Sequence, residues 1–172
     1  MKQLMERSGL SKGAIFHYVK TKDELFAWVL NERSEMINER FLQEVEQGGG
    51  GFEGPMRQIA ASFPQLGDPQ DVSNRVLMYL LGKEDQPAIA EALERYYEQS
   101  VAISRQWIET GQRHGVIPNQ VNADKTAELF MLVSLGLRLR SVLPGVRPSF
   151  TADDFAALVR EMLKPQHPQS KE

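Results

Sequence analysis

The sequence predicts an all-α fold on three observations. Apolar residues recur at three- and four-residue spacing through most of the chain, as they do on helices with one buried face. Residues suited to capping helices, Ser11, Thr21, Asn122 and Thr151, stand in front of these runs. No stretch of any length alternates apolar and polar residues as a half-buried strand would, and no internal repeat is present.

The first element is a helix from Met1 to Arg7 with Leu4 and Met5 on one face, followed by Gly9 as a chain-reversing residue. Ser11 caps a short second helix, in which Ile15 and Val19 face inward. Lys12, Gly13, Phe16, His17 and Lys20 are left to point outward. Thr21 caps the next helix, and Glu24 completes a T-x-x-E capping box. Two caps this close confine the middle helix to about two turns, a length that a DNA major groove accepts. Lys2, Arg7, Lys12, Lys20 and Lys22 stand against Glu6 alone in this region, whereas the whole chain carries a net charge of −3. A basic tip on an acidic body approaches phosphate without coating itself in nonspecific nucleic acid.

The run Gly9-Leu10-Ser11-Lys12-Gly13-Ala14-Ile15-Phe16-His17-Tyr18-Val19-Lys20-Thr21-Lys22-Asp23-Glu24-Leu25 resembles the recognition segment of the TetR family of bacterial transcriptional regulators. The common pattern of that family runs close to G-V-S-K-G-T-L-Y-H-Y-F-K-S-K-E-E-L. The resemblance implies a helix-turn-helix head that binds double-stranded DNA at a near-palindromic operator, as a homodimer. By the same resemblance Ser11 and the Lys12-Gly13 backbone lie at the recognition-helix N-terminus, where free N–H groups favour phosphate. Phe16 replaces the usual tyrosine, so the family's phosphate-binding hydroxyl is missing, and the ring is left to pack on sugar or a thymine methyl. Ala14 replaces a commonly polar residue and offers thymine an apolar contact. His17 and Tyr18 contact base edges or backbone, with part of the Tyr18 ring packed inside the head. Lys20 and Lys22 neutralise phosphates. Family members carry a further N-terminal helix ahead of the one that begins here at Met1. A misplaced gene start is the expectation; a shortened chain and a true variant lacking that brace are the alternatives.

Onward, residues 21–47 form one long helix, amphipathic through Leu25, Phe26, Val29 and Leu30 and then charged through Glu32, Arg33, Glu35, Glu39 and Arg40. It joins a head domain, 1–47, to an effector-binding and dimerisation domain, 48–172. The four glycines from Gly48 to Gly51 end it as a surface linker, and no Gly-Lys-Ser/Thr follows to make a phosphate-cradling loop. A helix through Met56, Ile59, Ala60 and Phe63 runs to about Gln65. Asp68-Pro69 reads as cap and first-turn proline of a helix through Val72, Val76, Leu77, Leu80 and Leu81. Pro87 opens a long helix to His114, stopped by Gly115. Asn122 caps another, and Thr151 with Asp154 caps the last, which stops before Pro165. The polar tail after it reads as disordered.

From Leu129 to Leu137 the sequence is apolar almost all the way round, so this helix needs cover on more than one face. Central burial in one body would supply it. Burial between the body and a second subunit explains it better, with Gly136 letting two helices approach. The family resemblance implies a four-helix dimer interface from the last two helices, about 123–142 and 152–164. On that reading Leu129, Leu132, Val133, Gly136, Phe155, Leu158, Val159 and Met162 form the interface.

The resemblance also implies a small organic effector held among the central helices, whose binding spreads the heads and releases DNA. Met56, Ile59, Phe63, Met78, Tyr97, Trp107, Phe130, Met131 and Ser134 are the candidate lining, a mixed Met and aromatic wall suited to an amphipathic ligand. Arg138 is expected in a salt bridge to Asp or Glu, with an anionic ligand as the alternative. Hydrophobic residues make up 41% of the 172-residue chain and charged residues 25%, which is ordinary globular usage. There is no cysteine, hence no disulfide or thiolate chemistry. No apolar run is long enough to span a bilayer, so a cytoplasmic protein with no membrane partner is expected.

Catalysis finds no support. His17, His114 and His167 are dispersed, and no nucleophile elbow, dinucleotide fingerprint or H-E-x-x-H occurs. Asp153-Asp154 and Glu84-Asp85 lie at helix starts, where capping accounts for them. No cofactor is implied. The rival to a repressor is a helical dimeric ligand-binding or adaptor protein whose truncated head does not grip DNA.

Overall fold

The computed structural model describes residues 21–47 and 53–164, and they are helical without any strand. In chain order they form α1 (Lys22–Gln47), α2 (Glu53–Ala60), a 3-10 helix (Phe63–Gly67), α3 (Val72–Leu81), α4 (Pro87–Arg113), α5 (Ala123–Ser141) and α6 (Ala152–Leu163). The two helices and the turn expected ahead of residue 21, the glycine linker and the tail beyond Lys164 lie outside the described residues.

Local chemistry accounts for most of the boundaries. The Thr21 hydroxyl accepts from the Glu24 N–H at 3.1 Å and starts α1. Asn122 accepts from the Lys125 N–H at 2.9 Å and starts α5. Thr151 and Asp154 form a reciprocal capping box at α6. Pro87 is in the first turn of α4, and Gly115 follows that helix with φ +70°, a left-handed conformation glycine adopts without strain. A Cβ on Gly111 would overlap the Ile117 side chain, so that glycine lets the loop after α4 fold back onto the helix.

Three boundaries differ from the sequence reading. α2 stops at Ala60 rather than near Gln65, and Phe63–Gly67 winds as a 3-10 helix. Pro64 is the cause: it has no N–H to give to the carbonyl of Ala60. α3 begins after Asp71, whose carboxylate accepts from the N–H groups of Ser73 and Asn74 at 2.9 and 3.2 Å. Asp68 instead closes the preceding turn on the Gln70 N–H at 2.8 Å, so of two competing aspartates the later one caps. Glu84 and Asp85 do not cap α4; Gln86 holds that position without a side-chain bond.

Among the described residues two apolar clusters make the core. One gathers Phe41, Ile59, Phe63, Ile108, Leu137 and Phe155 with their neighbours. The other gathers Ala27, Leu30, Leu77, Leu80, Ile89, Tyr96 and Met131. The three long helices α1, α4 and α5 contribute to both, so a shift of one cluster is felt by the other.

Candidate functional site

Where the two clusters meet, the packing leaves a cavity of about 120 Å³. Its wall draws on every described helix except α3. Phe63 and Phe155 stack at 4.8 Å between ring centroids, and Phe130 meets the Phe155 ring edge-on at 6.0 Å. Trp107 closes another side; its indole N–H donates to Asn38 Oδ1 on α1 at 2.9 Å, and its ring lies 5.1 Å from Phe41. Ile37, beside Asn38, is itself part of the wall. α1 is thereby fixed to the cavity by the Asn38 hydrogen bond and by the apolar side chains of Ile37 and Phe41.

The polar part of the lining is sparse. Ser62, Ser104 and Ser134 each donate their hydroxyl proton to a carbonyl of their own chain segment, at 2.7, 3.0 and 2.7 Å. Arg138 is the charged lining residue. Its guanidinium donates to Asn74 Oδ1 at 2.6 Å. Asn74 is fully buried and its amide N–H groups face the carbonyls of Gln65, Leu66 and Asp68 at 2.9 to 3.2 Å. One asparagine thus ties the 3-10 helix, α3 and α5 together. The carboxylate expected beside Arg138 is not there among the described residues; a neutral amide takes its place.

Of the lining residues expected from sequence, the structure brings Ile59, Phe63, Trp107, Phe130, Met131 and Ser134 together on this cavity. Met56 is buried in the core without reaching it. Met78 faces a separate groove beside Arg75 and Arg140. Tyr97 points toward Glu128 at a long 3.4 Å, and burial followed by that carboxylate pushes its hydroxyl pKa up. Sequence reading missed Ile37, Tyr96 and Ile103, which apolar spacing alone does not separate from plain core. Arg138 did have a signal: its helical neighbours Ser134, Leu135, Ser141 and Val142 include no acid to pair with it.

The expected interface residues divide. Leu129, Leu132, Gly136 and Leu158 are exposed, Val133 and Met162 half-buried. Phe155 and Val159 are a correction: they are 0% and 1% exposed and line the cavity, because α6 turns its strongest apolar face inward. On α5, Leu129, Leu132, Gly136 and Leu139 form an outward stripe at alternating spacings of three and four, the seam pattern of paired helices. A Cβ at Gly136 would meet nothing.

Of the DNA-binding set, Ser11, Lys12, Gly13, Ala14, Phe16, His17, Tyr18 and Lys20 lie outside the described residues. Lys22 is exposed at the start of α1, its ammonium 5.2 Å from the Phe26 ring centroid and 5.7 Å from that of Tyr79. Next to it Asp23 accepts from the Tyr79 hydroxyl at 2.8 Å and pairs with Lys83 at 2.7 Å. The base of α1 is therefore pinned to the C-terminal end of α3. Among the described residues no group of acids and histidines is arranged to hold a metal, and no helix is long and apolar enough to cross a membrane.

No family model matches the chain, and neither a curated protein nor a solved structure is similar enough to match it.

Proposed function

We propose that the protein is a homodimeric, ligand-responsive DNA-binding regulator of the TetR type, a repressor released from its operator when a small amphipathic molecule fills the cavity. The observation that carries this reading is the course of α1. That helix takes in the last residues of the Gly9–Leu25 segment, begins with Lys22, and about four turns later sets Ile37 and Asn38 against the cavity and Trp107. A ligand that pushes on this wall therefore pushes on the helix that carries the head. It shifts the heads only to the extent that it binds one arrangement better than the other.

The exposed α5 stripe supports the dimer. Leu132 and Leu139 are each more than half exposed, and apolar side chains in such a row gain most by covering one another. Paired heads then read two half-sites of a near-palindrome.

The test is binding of the full chain to the intergenic DNA beside its own gene, across a salt series and against random duplex. Tight, competitor-resistant and steeply salt-dependent binding is expected. Lys12→Ala and Lys22→Ala should weaken it for every sequence and flatten the salt slope, while His17→Ala should change sequence preference. Unchanged affinity in all three variants would sink the assignment. Sedimentation should give twice the chain mass, falling to one chain for Leu132→Glu. A chain that dimerises and binds ligand but never DNA would instead be the helical adaptor weighed above.

A further inference from the structure

We propose that the cavity selects a compact hydrophobic monocarboxylate, its apolar part among Phe63, Phe130 and Phe155 and its carboxylate on Arg138; this rests on the cavity being the effector site. Size sets the first limit. An engineered apolar cavity of about 150 Å³ in another protein holds benzene, so 120 Å³ takes one ring or a short acyl chain.

Charge sets the second. Arg138 is half-buried, gives one N–H to Asn74, and has no carboxylate within ion-pair distance among the described residues. An unpaired cation in such a place is costly and is relieved by an anion. Its remaining N–H donors lie in a planar fork that matches a carboxylate edge and repels a cationic ligand.

Hydrogen-bond direction sets the third. Ser62, Ser104 and Ser134 commit their protons to backbone carbonyls, so they offer an anion lone pairs rather than donors. Ser100 and Tyr96 also place hydroxyls on the wall, but Arg138 is the lining residue with a positive charge and a planar donor fork, so the carboxylate is received there.

Calorimetry on the full chain, with benzoate and hexanoate as probes against benzyl alcohol and 1-hexanol, tests this directly. Trp107 fluorescence, read in a chain carrying Trp28→Phe, gives a second readout. The acids are expected to bind roughly ten- to a hundred-fold more tightly than the alcohols, the range for a charge-assisted hydrogen bond. Arg138→Gln should abolish the preference and Arg138→Lys retain part of it. If Arg138→Gln fails to fold for want of its contact to Asn74, the lysine variant and the acid–alcohol pairs on the unaltered chain still decide.

Equal affinity for acid and alcohol would overturn the carboxylate and leave the cavity a ligand site. No binding by any of the four probes would overturn both. Acids that bind as described but leave DNA occupancy unchanged would refute the regulator reading alone.

Discussion

Helix α3 is held by a polar joint at each end, and the two joints have bonds of nearly equal length in different surroundings. At its N-terminal end fully buried Asn74 receives Arg138 at 2.6 Å and faces three backbone carbonyls. Beyond its C-terminal end Lys83 meets Asp23 at 2.7 Å, with 31% of the lysine side chain and 16% of the aspartate exposed. Distance does not rank them. Asn74 is itself sealed from water, so the partners of the first joint are replaced by water less readily than those of the second, and breaking it leaves buried polar groups stranded. A half-buried ion pair at the surface costs less to lose.

The largest effect is therefore expected at Asn74. Asn74→Ala leaves the buried Leu66 carbonyl and the inner N–H of Arg138 together without their partner, while the carbonyls of Gln65 and Asp68 keep backbone N–H donors. It should lower unfolding free energy by about 3 kcal/mol in a denaturant titration. A loss below about 0.5 kcal/mol would mean that water reaches this joint as well, and the contrast between the two ends would collapse.

Arg138→Met comes next, at about 1–3 kcal/mol, because it leaves Asn74 Oδ1 without its donor while keeping much of the side-chain bulk. The comparison sharpens in the double variant. If the two residues act as one joint, Asn74→Ala with Arg138→Met should cost little more than Asn74→Ala alone. Full additivity in the same titration would show two independent contacts.

How far the sequence reveals these features depends on how local they are. The caps at Asn122 and Thr151 are legible because cap and partner lie three residues apart. The end of α4 is legible because Gly115 carries its own conformational signal. The two faces of α5 are not, since Met131 and Leu137 inside and Leu132 and Leu139 outside are equally apolar. Phe155 and Val159 lie on the apolar face of α6, but a face does not say whether the same chain or a second copy covers it. Asn74 is the extreme case. Its work is done on Gln65, Leu66, Asp68 and Arg138, and only tertiary packing brings that set together.

The smallest effect is expected at the exposed joint, and its pH dependence identifies it. Hydrogen bonds from Lys83 and then Tyr79 hold the Asp23 carboxyl below the usual carboxylate range, against a weaker opposing push from burial. Hydrogen bonding to Asp23 and then Tyr79 holds the Lys83 ammonium above the usual lysine range. A depressed carboxyl adds stability above its unfolded pKa and loses it as pH falls through the folded value. A raised amine adds stability below its unfolded pKa and loses it as pH rises through the folded value. The stability difference between the unaltered chain and Asp23→Asn should therefore be small and level between the two ranges. It should shrink toward zero at both extremes, and concentrated salt should shrink it throughout. The corresponding difference for Asn74→Ala should stay flat over the same range and in salt, because neither an amide nor a guanidinium titrates there. A flat Asp23 curve would show that Tyr79 and Lys83 do not hold the base of α1, and α3 would then have a single polar joint, the buried one.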